Sequence, residues 1–305
     1  MLEKYRDEIL SCTGCGFCKK LCPLYHLTKK EVDGPKGKIM IAYGLLTGEI
    51  KEDNSIIEAL QKTPLCRICE TTCPSLIKIT DIIKAARHDL KNLLPAHEKL
   101  IEELQSINEK PEGEKVIFAG MQAKEIGAIK KISSLIDASP YYGGCGAAIE
   151  RVGRKNNIIE KILQNFREAG VKEIIFYEYD CMKFFSHDFK VSHIFDELKK
   201  FNLNYIGGRY IYHEPPELSY LGIDGRSIIK KIGEIVEFDS PKCCGGRIEF
   251  ERAFPDEAKM LAKDLIKEAK NKNATIVTAS PECYAHLKKY GNIIDMLELV
   301  EIAMD

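Results

Sequence analysis

Residues 12–23 read Cys-Thr-Gly-Cys-Gly-Phe-Cys-Lys-Lys-Leu-Cys-Pro, with thiols at Cys12, Cys15, Cys18 and Cys22 and a proline directly after the last. No other stretch restricts the chain as much. The spacing C-x-x-C-x-x-C-x-x-x-C-P holds iron–sulfur cubanes, the fourth sulfur turning to the other cluster of a pair. Zinc is the competing reading, but zinc sites usually join one C-x-x-C to a distant second pair.

The remaining composition agrees with metal or redox chemistry. The chain has 305 residues and 12 cysteines, too many thiols for an ordinary intracellular core and too long a chain for a small disulfide scaffold. Lys and Arg number 45 against 46 Asp and Glu, so there is no basic field for nucleic acid. Met1 to Leu10 is polar and amphipathic, without a secretory apolar segment, and no apolar run approaches a bilayer span. The expectation is a cytoplasmic protein that reaches the cytoplasmic face of a membrane only through partners. The length suits two or three units with cores of their own.

A second cysteine group follows as Cys66-Arg-Ile-Cys69-Glu-Thr-Thr-Cys73-Pro74. It repeats the first run with one thiol absent, since the position three residues before Cys66 is Thr63. Crossed ligation of the kind two-cluster ferredoxins use gives Cys12, Cys15, Cys18 and Cys73 to one cubane. The other receives Cys22, Cys66 and Cys69, one thiolate short. Three outcomes are open there: a 3Fe–4S cluster, a 4Fe–4S cluster with water or the Thr63 hydroxyl on its fourth iron, or a ligand lent by a distant segment or partner chain. The three-thiolate site is favoured, because an alcohol is a poor iron ligand and Pro64 restricts the backbone at Thr63.

Leu2 to Leu10 reads as a short helix. Asp33-Gly-Pro-Lys-Gly-Lys38 is a turn before the buried helix Ile39 to Leu46, and Thr80 to Leu93 is helical in pattern. The polar stretch holding Pro111 and Gly113 reads as a linker, after which the chain alternates between strand and helix. Val116 to Ala119, Glu173 to Tyr177, Tyr210 to His213 and Thr275 to Thr278 are the predicted strands, and Ile158 to Glu168 and Asp256 to Ala269 two of the helices. Such alternation argues for parallel sheets.

This half repeats itself. Gly143-Gly-Cys145-Gly-Ala147 matches Lys242-Cys-Cys244-Gly-Gly246, and Cys181 matches Ser280 at the same offset. Two separate sites with one offset indicate an internal duplication. The predicted fold is therefore α+β overall: a helical two-cluster domain over 1–95, a linker over 96–114, and an α/β region of two related repeats with parallel sheets over 115–208 and 209–305.

The two runs and the Asp33–Lys38 turn resemble the ferredoxin half of the glycolate oxidase iron–sulfur subunit family. The resemblance extends to the small subunit of anaerobic glycerol-3-phosphate dehydrogenase and the iron–sulfur subunits of heterodisulfide reductase. The duplicated half resembles the CCG cysteine-rich module of the same proteins, in which a lone cysteine, C-C-G and C-x-x-C hold a non-cubane 4Fe–4S cluster. In the first copy Met121, Gly144 and Phe184 replace cysteines, leaving Cys145 and Cys181 as small buried residues. In the second, Pro216 and Ser280 replace two, and Cys243, Cys244 and Cys283 survive as a candidate third site for a cluster or zinc, with His213 nearby.

The resemblance implies an electron-transfer subunit that takes electrons from a partner FAD-containing dehydrogenase and passes them towards quinone, with no catalytic residue of its own. The dehydrogenase would act on a 2-hydroxy acid such as glycolate or lactate, or on glycerol 3-phosphate. The alternatives are a heterodisulfide-reductase-like catalytic subunit acting at Cys243, Cys244 and Cys283, and a zinc-containing scaffold that binds a partner. Gly143-Gly-x-Gly146 lacks the context of a dinucleotide site, and the remaining histidines show no ligand spacing.

Overall fold

The computed structural model describes residues 1–215, 218 and 222–304. They form two compact units, neither continuous in sequence.

The first unit comprises Met1–Glu103, Ala148–Asn156 and Ser240–Lys263. The predicted N-terminal helix is a 3-10 turn, Leu2–Tyr5, running into Arg6–Leu10. The apolar stretch after the glycine-proline turn becomes the helix Pro35–Thr47, with Pro35 in its first turn, where the missing N–H costs nothing. The helix Asn54–Gln61 is capped by Asp53, whose carboxylate accepts from the Ile56 N–H at 2.9 Å. Ile79–Asp89 follows, and Ile39, Ala42, Ile57, Leu60, Ile82, Ile83 and Ala86 close a common core between the three helices. The stretch expected to be linker contains the helix Pro95–Ser106.

Two later segments complete this unit. Arg87, fully buried, donates to the carbonyls of Leu60 (2.9 Å), Gln61 (3.0 Å), Thr63 (3.0 Å) and Arg151 (2.6 Å). The chain approaches so closely that a Cβ at Gly153 would lie 2.4 Å from the Arg87 carbonyl carbon, and Gly153 has φ +86°. From 240–263, Phe250, Phe254, Ala258 and Leu261 pack around Leu24.

The second unit comprises Leu104–Ala147, Asn157–Asp239 and Asp264–Asp305. Its strands are β1 (Lys115–Phe118), β2 (Ser139–Tyr141), β3 (Glu173–Phe176), β4 (Lys190–His193), β5 (Arg209–His213), β6 (Glu234–Val236), β7 (Thr275–Thr278) and β8 (Ile293–Asp295). They make two four-stranded sheets, ordered β2-β1-β3-β4 and β6-β5-β7-β8, parallel throughout. The same strand order twice is the duplication seen in three dimensions. Alternate residues of β1 and β3 serve different cores: Ile117 and Ile175 join Tyr212 and Val277 of the second sheet, whereas Val116, Phe118, Ile174 and Phe176 pack under Leu163, Phe166 and Phe185. Strands covered on both faces explain why these segments read as unbroken apolar runs.

Candidate metal centres

Each cysteine run folds into the same backbone shape. Gly14 and Gly16 have φ +67° and +79°, and their counterparts Leu65 and Arg67 have φ +52° and +57°. Left-handed backbone is unfavourable for residues with a Cβ. Arg67 is held there by its guanidinium, 3.0 Å from the Glu70 carboxylate and 2.8 Å from Asp81. The two C-P junctions also coincide. Cys22 has φ −76°, ψ 109° and Cys73 φ −76°, ψ 114°, the extended conformation that a following proline imposes. Cys22 caps the helix Pro23–Thr28, its sulfur accepting from the Tyr25 N–H at 3.4 Å.

Two cavities open between the runs. One is lined by Cys12, Cys15, Cys18 and Cys73 against Ile39, Ile77 and Ile79. The other is lined by Cys22, Cys66 and Cys69, with Thr63, Pro64, Lys38 and also Cys243. The first therefore offers four thiols from the two runs and the second three. None of these cysteines is in a disulfide.

The electrostatics suit a cationic guest. Burial pushes the Cys18 thiol up to about 11, with the sulfurs of Cys12, Cys73 and Cys15 adding to the effect. Burial likewise pushes Cys22 up to about 11, and it raises Cys69 well above the usual range, reinforced by Cys66 and Cys22. Thiolates crowded in an apolar cavity repel one another, and bound iron reverses that balance. Cys15, on the outside, is lowered by the Phe17 N–H. The donor sets and dry linings fit iron–sulfur clusters.

Sequence reasoning missed three features of this region. Lys38 is buried, donating to the carbonyls of Ala59 at 2.6 Å and Val32 at 3.2 Å, and burial brings its pKa down to about 7. It stood inside a motif read only as a turn. Arg87 gave no signal beyond its place in a helical pattern. The position of Cys243 beside Cys22 has no local signature at all.

Cys145 and Cys181, both buried, form a disulfide. Met121 lies against Gly144, its sulfur 3.2 Å from where a Cβ would stand, so the substituted positions of the first copy do converge. Cys244 is buried in the first unit and its sulfur accepts from the Gly246 N–H at 3.3 Å. Gly245 has φ +76°, and a Cβ there would lie 3.0 Å from the Ala258 Cα. Cys283 belongs to the second unit, on the helix Pro281–Leu287, where Ser280 is the N-cap and accepts from the Cys283 N–H at 3.3 Å. A serine in place of the family cysteine thus serves the helix. His213 ends β5 and is buried. Pro216 lies outside the described residues. No helix among the described residues is long and apolar enough to cross a membrane.

This is an iron–sulfur protein built from two kinds of module: residues 8–77 match the 4Fe-4S dicluster domain and residues 226–288 the CCG cysteine-rich domain. Among characterised proteins the chain is similar to the glycolate oxidase iron-sulfur subunit of Escherichia coli K12, 35% identical over 100 residues, 32% of this chain and 24% of that protein. It is also similar to the probable glycolate oxidase iron-sulfur subunit of Bacillus subtilis 168, 35% identical over 81 residues, 26% of this chain and 18% of that protein. The matching region spans about a quarter of the first relative's length and less of the second. A crystal structure of a hypothetical protein from Helicobacter pylori has the same fold, with a TM-score of 0.64 at 11% identity over 99% of this chain and 76% of that one.

Proposed function

We propose that this chain is a non-catalytic electron-transfer subunit, with Cys12, Cys15, Cys18 and Cys73 holding a 4Fe–4S cluster and Cys22, Cys66 and Cys69 contributing to a second. The observation that supports this is the division of the seven thiols between two adjacent cavities of one unit. Bound clusters would supply one-electron acceptors. The protein's part is to exclude water with Ile39, Ile77, Ile79 and Ile83, and to set local charge through Lys38.

The named relatives are glycolate oxidase subunits, which supports a partner oxidase subunit as electron donor; the family resemblance of the cysteine runs makes that donor an FAD-containing dehydrogenase of a 2-hydroxy acid such as glycolate or lactate, or of glycerol 3-phosphate. The acceptor is a quinone or its membrane reductase.

The test is anaerobic purification, iron and zinc analysis, and visible spectroscopy during mixing with a substrate-reduced flavoprotein of this class. Iron–sulfur absorption that bleaches on mixing and returns with a quinone analogue is the expected result. A zinc-loaded chain without iron, or disulfide reduction by the isolated chain, would refute the relay.

A further inference from the structure

We propose that Cys243 supplies the fourth thiolate of the second cavity, completing a Cys22, Cys66, Cys69 and Cys243 set for a 4Fe–4S cluster. This rests on the two-cluster reading above and deepens it.

The vacancy follows from superimposing one run on the other. Cys15, Cys18 and Cys22 correspond to Cys66, Cys69 and Cys73, so Cys12 corresponds to Thr63. Thr63 lines the cavity, but its hydroxyl accepts from the Leu65 N–H at 3.4 Å and its carbonyl from Arg87 at 3.0 Å. An alcohol is a much weaker ligand for iron than a thiolate. Cys243 lines the same cavity, is 8% exposed and is not in a disulfide.

The segment carrying Cys243 is anchored on both sides of that cavity. Leu24, two residues from Cys22, sits among Phe250, Phe254, Ala258 and Leu261. Lys62, next to Thr63, pairs with Glu257 at 2.6 Å. Glu249 is tied through its carboxylate to Arg151 at 2.8 Å and through its carbonyl to the His97 Nε2 at 3.0 Å. A thiol fixed in this way in the lining it shares with three others coordinates at little ordering cost, giving its proton to solvent as the sulfur binds. The first cysteine of the C-C-G sequence then serves the dicluster unit, and the loss of the cysteine at position 63 is made good from a segment far along the chain.

The experiment compares wild type, Cys243→Ala, Cys243→Ser and the double variant Thr63→Cys/Cys243→Ala by iron analysis and low-temperature EPR, oxidised and dithionite-reduced. Wild type is expected to hold about eight irons per chain, with two interacting reduced clusters and no oxidised 3Fe–4S signal. The single variants lose about one iron and gain that oxidised signal, and the double variant restores the wild-type spectrum. An oxidised 3Fe–4S signal already present in wild type and unchanged by Cys243→Ala overturns the assignment but leaves the relay standing. A wild-type chain without iron–sulfur signals overturns both. If the single variants do not fold, a wild-type-like spectrum from Thr63→Cys/Cys243→Ala supports the assignment, and loss of the second cluster there contradicts it.

Discussion

Arg151 and Glu249 form a buried, bidentate ion pair, Nε to Oε1 at 2.8 Å and Nη2 to Oε2 at 2.9 Å. They come from the two halves of the duplicated region and meet in the unit that carries the two cysteine runs. Burial pushes the Glu249 carboxyl up, but the Arg151 guanidinium outweighs it and the net shift is downward. Replacing Arg151 alone leaves a buried charge without its partner, which costs about 3–5 kcal/mol. Arg151→Met is therefore expected to lower the urea midpoint sharply, and Arg151→Met/Glu249→Leu to recover much of the loss. Equal destabilisation by the single and double variants would contradict the pairing argument.

The disulfide between Cys145 and Cys181 spans 36 residues. In the loop-entropy description a closure of that length is worth about 4 kcal/mol. Cys145→Ala/Cys181→Ala should lower thermal stability in proportion while leaving iron content unchanged. Iron lost in this variant would mean that the first copy is still a metal site.

Lys38 puts a buried amine on the wall of the second cavity, and with its pKa brought down to about 7 by burial it is charged in only part of the molecules near neutral pH. At an effective dielectric of about 20, a full unit charge about 8 Å away would be worth roughly 2 kcal/mol, or about 90 mV for a one-electron couple, which is the upper bound for a partly protonated amine. Lys38→Met is expected to lower the reduction potential of the second cluster by that order and to leave the first nearly unchanged. An EPR-monitored redox titration reads both; an unmoved second potential would exclude the electrostatic role.

Asp295, fully buried at the end of β8, accepts from the Tyr177 hydroxyl and from the Leu297 N–H at 2.8 Å. Burial raises its carboxyl to about 7. The native state therefore holds this proton in a range where the unfolded chain, titrating near 4, has released it. Its contribution to stability is greatest below about pH 4 and is lost as pH rises through about 7, with an upper bound of roughly 4 kcal/mol. Asp295→Asn should flatten the fall in stability between those limits, measured by denaturant titration across pH. A slope identical to wild type would rule the group out.

The parts of the fold that the sequence reveals are those under local control. The cysteine runs announce themselves because ligand spacing and the C-P junction are contiguous. Strands β1, β3, β5 and β7 are legible because burial on both faces demands unbroken apolar residues. Strands β2, β4, β6 and β8 are not, being three or four residues long and outermost in their sheets, with Pro140 inside β2, a position only an edge strand tolerates. Thr63 shows in the sequence as a missing thiol. What stands opposite it does not, because Cys243 reaches that cavity through Leu24, Lys62 and Arg151, none of which is near it in sequence. The same holds for Ser280, whose helix-capping role becomes visible only once the helix is seen.

The inclusion of 240–263 in the cysteine-bearing unit bears on how the protein is made. When the first hundred residues have left the ribosome, all seven cysteines of the two runs are present, yet Leu24 still lacks Phe250 and Phe254. The unit that carries the two cysteine runs is complete only once residues 240–263 have been made. Until then the second cavity lacks Cys243 from its lining, and Leu24 the apolar cover of Phe250 and Phe254.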